Sequence, residues 1–328
     1  MKMKNKTLYM VLPCYNEEEV LHETAKRLKI KLDHLIEENK ISDQSKIVFV
    51  NDGSKDNTWS IINLLHQEDK IFSGLNLSRN CGHQNALLAG LMTVKNLCDF
   101  TISMDADLQD DINAIDEMVD KYNMGNDIVY GVRDNRETDT GFKRNTATLY
   151  YKILKSLGND SIPNHADFRL MNQKALNGFA EFKEVNLFLR GLVPMIGYES
   201  DVVYYKRNER FAGKSKYPFK KMFSFAIEGI TSLSVKPLRL ISGVGIISFA
   251  LSIIFAIYFI IQHFLGRTIS GWSSTIVSIW ALGGLQLLAL GIIGEYVGKT
   301  FLETKERPRY MIQDILHEDQ TPAKNDAP

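Results

Sequence analysis

The sequence predicts an α/β domain built on a mostly parallel sheet, followed by an amphipathic juxtamembrane helix and two transmembrane helices. Three observations carry this reading. Short apolar runs alternate with helical patterns, polar clusters stand where the runs stop, and two long apolar stretches without a charged side chain stand near the end. Strands alternating with helices over short links imply parallel strands covered on both faces. Uncharged apolar stretches of roughly 18 residues or more imply helices that span a bilayer.

The elements follow in order. Thr7 to Leu12 reads as a buried strand stopped by Pro13. Between Glu17 and Glu38, Val20, Leu21, Leu28, Leu32, Leu35 and Ile36 recur at helical spacing. Lys46 to Val50 is a strand that ends in the turn signal Asn51-Asp52-Gly53. Ser73–Leu77, Phe100–Met104 and Asp127–Tyr130 are further strands, with helices over His83–Leu97 and Ile112–Tyr122. Gly131 to Lys155 is polar and then helical, Gly158 to Pro163 is a loop, and Val202 to Tyr205 is a late strand.

Lys214 to Ser234 interleaves Lys216, Lys220 and Lys221 with Phe219, Met222, Phe223, Phe225 and Ile227. This is the pattern of a basic helix lying on a bilayer; an ordinary surface helix with a core-facing stripe is the competing reading. Leu240–Ile261 and Ile276–Gly294 are the uncharged stretches. Only His263 to Thr275 separates them, with Arg267 as its charged residue and Trp272 placed as an interfacial anchor. Lys236 and Arg239 precede the pair, and Lys299, Lys305, Arg307 and Arg309 follow it. That bias expects both termini and the catalytic domain on the cytoplasmic side of the cell membrane. Gly283, Gly284, Gly291 and Gly294 permit close helix packing, and so a homo-oligomer. The polar tail after Arg309 is expected to fray. The expected units are therefore 1–212 (domain), 213–237 (juxtamembrane), 238–298 (hairpin, spans near 240–261 and 275–297) and 299–328 (cytoplasmic tail).

Lys plus Arg and Asp plus Glu both number 39, so no global basic field points to nucleic acid. The acids gather between Asp105 and Asp120, the bases between Lys206 and Lys221. Cys14, Cys81 and Cys98 stand at no metal-ligand spacing and read as free thiols in a reducing compartment. Met1 to Lys6 is basic, but Pro13 interrupts the short apolar stretch behind it, so no signal peptide is expected.

The chemistry gathers at strand ends, where ligands bind in parallel sheets. Met104-Asp105-Ala106-Asp107-Leu108-Gln109 sets two carboxylates at i and i+2 after an apolar strand. Hard oxygen ligands of this kind suit Mg²⁺ or Mn²⁺ shared with a diphosphate; a plain surface turn is the alternative. In Asn51-Asp52-Gly53-Ser54-Lys55-Asp56-Asn57-Thr58, Asp52 can accept from a base or ribose, while Asp56 or Asn57 caps the next helix. After the first strand, Tyr15 offers a face for a base and Glu17 a carboxylate for a ribose, with helix capping at Asn16 as the local explanation.

Pro13 to Glu17, Asn51 to Ser54, Ser78-Arg79-Asn80 with Gly82, and Asp105-x-Asp107-x-Gln109 stand in the order and spacing of family 2 glycosyltransferases. Over about residues 6–300 the chain resembles their polyprenyl-phosphate branch, the bactoprenol glucosyltransferases and dolichyl-phosphate mannose synthases. The resemblance implies a GT-A fold in which Pro13, Tyr15, Glu17, Asp52, Asp105 and Ala106 hold a nucleotide-sugar. It implies a metal at Asp105, Asp107 and Gln109. Two departures stand out: Asp110-Asp111 replaces Asp-Pro, expected to alter only the helix start, and His83 replaces a Lys, which puts in doubt a fixed positive charge there.

Acceptor binding falls to basic groups. Arg133, Lys143, Arg144, Arg207, Arg210, Lys214, Ser215 and Lys216 are the expected ligands of a lipid phosphate. Arg210 to Lys216 resembles a family segment that closes over substrate phosphates; a positive patch facing anionic lipid heads is the other reading. Asp167, in His165-Ala166-Asp167-Phe168-Arg169-Leu170, is either a general base or part of an Asp167–Arg169 pair that orders its loop. Together these predict inverting transfer of one sugar from a UDP-sugar donor to undecaprenyl phosphate within the lipid bilayer. A processive polysaccharide synthase would need more spans and a Gln-x-x-Arg-Trp segment, and neither is found. A non-catalytic nucleotide-sugar-binding scaffold is the third reading, and the intact acidic pair disfavours it.

Overall fold

The computed structural model describes residues 5–134, 165–208, 231, 235–265 and 271–317. Among them eight strands form one sheet: β1 (Leu8–Cys14), β2 (Lys46–Asn51), β3 (Phe72–Leu77), β4 (Phe100–Ser103), β5 (Ile128–Arg133), β6 (His165–Asn172), β7 (Ser200–Tyr205) and β8 (Ile312–Leu316). Their order is β7-β5-β6-β4-β1-β2-β3-β8. The helices of the domain are α1 (Leu21–Glu37), α2 (Thr58–Glu68), α3 (His83–Val94), α4 (Ala114–Asn123), α5 (Gln173–Ala180) and α6 (Leu189–Met195). Two long helices follow, α7 (Lys236–Phe264) and α8 (Trp272–Thr304).

The centre is parallel as expected: β1 pairs in parallel with β2 and β4, and β2 with β3. The whole is mixed, because β6 lies antiparallel between β4 and β5, and β8 antiparallel on β3. Alternate residues of β1 serve different cores. Leu8, Met10 and Leu12 join α1, α2 and α4 on one face, while Tyr9 and Val11 join α3 on the other. A strand covered on both faces is apolar at every position, which is why it reads as a run. Gly90 lets α3 lie close on that second face, since a Cβ there would stand 2.5 Å from Val11 Cγ1.

Pro13 does not stop β1, which runs on to Cys14. The amide of Asp52 donates to the Cys14 carbonyl, so Cys14 faces β2 and Pro13 faces the other way. On that side β4 pairs only as far as Ser103, opposite Val11, and no ladder bond is lost.

The tail also departs from expectation. Residues 312–316 do not fray; they close the open edge of β3. Asn51 Nδ2 donates to Asn76 Oδ1 at 2.8 Å, and Asn76 Nδ2 to Asp314 Oδ2 at 2.9 Å, while Leu316 packs on the core. The chain therefore leaves the domain, runs through α7 and α8, and returns to the sheet. These helices are long and apolar enough to cross a membrane, with mean hydropathy 2.1 over Lys236–Phe255 and 1.4 over Ala281–Thr304. Neither stretch is buried in protein, and large apolar side chains such as Ile246, Phe255, Leu287 and Leu290 stand exposed. The amphipathic stretch 213–237 lies largely outside the described residues.

Candidate active site

Strands β1, β2, β4, β5 and β7 run the same way, so their carboxyl ends share one edge of the sheet, where β6 begins. That edge collects most of the predicted residues. After β1, Asn16 turns with φ of 54° and straps two loops together: its amide donates to Ser54 Oγ at 3.0 Å, and its Oδ1 accepts from the Lys55 amide at 2.9 Å. The Glu17 amide donates to Thr58 Oγ1, and Glu18 Oε2 accepts from the Asn57 amide. Asn16 therefore caps no helix, and α1 begins only at Leu21. Asn57 stands at the N-cap of α2 without a side-chain bond, and Asp56, one residue earlier, accepts from the Thr58 amide at 3.1 Å. Pro13 is buried, and Tyr15 and Glu17 are half-buried just beyond it.

Asp52 is buried and organises the next loop. Its two carboxylate oxygens accept from the Cys81 amide at 2.6 Å and the Gly82 amide at 3.0 Å. Desolvation raises its pKa despite those bonds. Gly53 makes the approach possible: it sits at φ of 61°, and a Cβ would fall 2.5 Å from the Asn80 nitrogen. The loop ends at Gly82, and His83 opens α3 pointing at the acidic cluster.

Asp105 and Asp107 follow β4. The Ala106 carbonyl between them is held by Thr24 Oγ1 of α1 at 2.8 Å, and Leu108 turns with φ of 58°. A third of the Asp105 side chain is exposed. Desolvation, and then the charges of Asp110, Asp167 and Asp107 against that of His83, push its pKa up to about 6. The hard oxygens of Asp105 and Asp107 are of the kind that fits Mg²⁺ or Mn²⁺. Gln109 fits less well, because its Oε1 accepts from Arg207 and its carbonyl from the Asn208 amide. A separate group of potential ligands, His34, Glu38 and Asp116, lies between α1 and α4; there Lys31 already pairs with Asp116 and Lys40 with Glu38.

Asp167 presents the opposite environment. Its Oδ1 accepts from Arg169 at 3.1 Å; its Oδ2 accepts from Arg190 at 3.2 Å and faces His83 Nε2 at 3.3 Å. Burial opposes ionisation, yet Arg190, His83 and Arg169 hold the carboxyl well below the usual range. A carboxylate so stabilised is a weak proton acceptor, which favours the ordering role over the general base. His83 also lies 3.5 Å from Asp105 Oδ1. Burial lowers its pKa, but the bond to Asp167 and the two acidic charges prevail and carry it to about 9. Both carboxylates favour the protonated form of His83, at a position where the sequence left a positive charge in doubt.

Among the expected phosphate ligands, Arg133 is committed elsewhere. It donates to Asp110 Oδ1 and Tyr205 Oη at 3.2 Å each, and Tyr205 donates to the same Asp110 oxygen at 2.5 Å. Asp110 is buried, so it does more than alter the start of α4: it ties the ends of β5 and β7 to the Asp105–Asp107 turn. Arg207 reaches Gln109. Lys143, Arg144, Arg210, Lys214, Ser215 and Lys216 lie outside the described residues. Sequence reasoning missed Arg190 and Gln84, which carry no local pattern, and missed β6. There a signal existed: His165, Asp167 and Arg169 alternate with Ala166, Phe168 and Leu170, the period of a strand.

The model of glycosyl transferase family 2 matches residues 9–179. YkoT of Bacillus subtilis (strain 168), described only as a glycosyltransferase, is 53% identical over 98% of this chain and 95% of its own. The bactoprenol glucosyl transferase of Shigella phage SfX is 39% identical over 93% of this chain and 98% of its own. Among solved structures, glucosyl-3-phosphoglycerate synthase from Mycobacterium tuberculosis is a distant likeness, at 14% identity and a TM-score of 0.44 over 70% of this chain and 79% of its own. The chain belongs to glycosyltransferase family 2, and it is a glycosyltransferase enzyme with a GT-A-like mixed-sheet domain.

Proposed function

We propose that this glycosyltransferase moves a single sugar from a UDP-linked donor to undecaprenyl phosphate at the cytoplasmic face of the membrane, with inversion. The observation that carries the reading is the match, over nearly the full length including both apolar helices, to proteins named bactoprenol glucosyl transferases. The return of the chain to its own sheet after α8 supports a hairpin whose two ends lie on the domain's side. Helices of 29 and 33 residues, at ~1.5 Å per residue, exceed the ~30 Å of hydrocarbon they would cross.

In this reading the nucleoside lies along the ends of β1 and β2, against Pro13, Tyr15, Glu17 and the loop that Asp52 holds. Asp105 and Asp107 would hold a divalent cation, which when bound supplies positive charge against the diphosphate leaving group. His83 adds a second positive group beside them. A phosphate oxygen of the acceptor attacks the anomeric carbon opposite the departing nucleotide. A phosphate monoester is largely ionised at neutral pH, so the attack needs no strong base, in keeping with the saturated state of Asp167. The chain's main contribution is alignment of two anionic substrates at the interface. Arg207 with the unassigned Lys143, Arg144, Arg210, Lys214, Ser215 and Lys216 would meet the lipid phosphate, and a homo-oligomer is compatible with the small residues of α8.

Membranes containing the protein, given a panel of labelled UDP-sugars and undecaprenyl phosphate, should yield organic-soluble label from one donor, with EDTA abolishing it. Absence of lipid-linked label with every nucleotide-sugar tried would overturn the reading.

A further inference from the structure

The end of α8 is bound into the domain in a way that the transfer reaction alone does not require. Glu303, in its last turn, accepts from the Val185 amide through Oε2 at 2.8 Å, and from the Asn186 amide and side chain through Oε1 at 2.8 and 2.9 Å. Arg309 donates to the carbonyls of Phe182 and Glu184 at 3.4 and 3.3 Å. One carboxylate and one guanidinium thus satisfy a short loop that has no regular secondary structure. The loop leads directly into α6, whose first amide, Leu189, donates to Gln84 Oε1 at 2.7 Å. The next residue, Arg190, reaches Asp167 Oδ2, the same oxygen that faces His83.

A second connection runs from the same segment. The Ser78 amide donates to the Met311 carbonyl at 3.0 Å, and β8 then pairs with β3. Residues 78–82 are the loop that Asp52 gathers ahead of His83. From 303 to 316, then, the chain touches both loops that converge on His83 and Gln84.

We propose that Glu303 is a positioning residue for glycosyl transfer, acting through Val185–Arg190 to set Arg190 and His83 against Asp167, and so to register the donor site with the end of the second apolar helix. The inference rests on the reading of the acceptor as a polyprenyl phosphate held at the membrane. Buried or half-buried carboxylates that collect several backbone amides hold loops in one geometry, and a small misplacement far from the chemistry lowers turnover by one to two powers of ten.

The test compares full-length wild type, Glu303→Ala, Glu303→Gln, Arg190→Gln and the Glu303→Ala/Arg190→Gln pair in undecaprenyl-phosphate vesicles with labelled UDP-sugar. Expected for Glu303→Ala is a fall in kcat between about tenfold and a hundredfold. UDP affinity in Mn²⁺ and melting temperature should stay close to wild type, Glu303→Gln should be intermediate, and the pair should be no worse than its weaker member, since both act on one path. Wild-type kcat in Glu303→Ala, multiplying effects in the pair, or a joint loss of melting temperature and UDP affinity would each overturn the proposal. If wild type gives no lipid product, the acceptor reading fails and hydrogen exchange decides instead. Faster exchange spreading from Val185 and Asn186 to Leu189 and the 82–84 amides supports the strap, and confinement to 185–186 refutes it.

Discussion

Two acidic centres lie within reach of one histidine, and they are built in opposite ways. At the turn after β4, Asp105 stands near the charges of Asp110, Asp167 and Asp107, and burial together with those charges pushes its pKa up to about 6. Across His83 from it, Asp167 is enclosed by Arg169, Arg190 and His83, which hold its carboxyl well below the usual range. In the function proposed above, the first centre is incomplete until a cation binds, whereas the second is complete within the fold. Residue type says nothing of this difference. Neighbours decide it.

The largest effect should come from breaking the complete centre. Arg169→Met leaves Asp167 buried with its innermost partner removed, and stability should fall by about 3–5 kcal/mol, read from urea unfolding of the detergent-solubilised protein. Retention of wild-type stability would mean that Arg190 and His83 suffice. Breaking the incomplete centre should act on turnover rather than on folding. Asp107→Asn should lower kcat by about 10²–10³ at nearly unchanged melting temperature, because asparagine keeps an Oδ1 that can accept from the Gln109 amide. A matched loss of stability would show the two centres to be alike.

A smaller effect is expected at the loop between them. Gly53→Ala places a side chain in the left-handed region, at about 1–2 kcal/mol, and against the backbone of residues 79–80. UDP affinity should weaken while the α1 and α4 side of the molecule keeps its protection from hydrogen exchange. The smallest should be Lys121→Ala, which removes a partly exposed pair with Asp201 far from both centres; an exposed pair is worth about 0.2–1 kcal/mol, and kcat should not change.

The acidic turn and the Asp167–Arg169 pair both stood in the sequence, but the full enclosure of Asp167 did not. Asp105-x-Asp107 and Asn51-Asp52-Gly53 are local: a strand ends, the chain turns, and the polar residues lie side by side in the text. The parallel centre of the sheet was legible for the same reason, since β1 and most of β2 are continuous apolar runs and helical patterns separate the strands. The enclosure of Asp167 draws on β6, α6 and the first residue of α3, which sequence spacing does not bring together. His83 illustrates the cost: read alone it is a weaker substitute for lysine, and its neighbours Asp105 and Asp167, which favour its protonated form, are distant in the sequence. Arg133 illustrates the converse. Its position after a strand reads as a free cation, yet Asp110 and Tyr205 occupy it. The return of residues 312–316 to β3 was hidden because a five-residue strand with Gln313 and Asp314 has no apolar period of its own; its strand character comes from the edge it closes.

The contrast between the centres is tested most directly by titrating Mn²⁺ into the purified protein with UDP present, and comparing wild type with Asp107→Asn and Asp167→Asn. The expected result is loss of Mn²⁺-dependent UDP binding in Asp107→Asn and its retention in Asp167→Asn. Undiminished Mn²⁺-dependent binding in Asp107→Asn, with loss in Asp167→Asn, would assign the cation to the wrong centre and contradict the account.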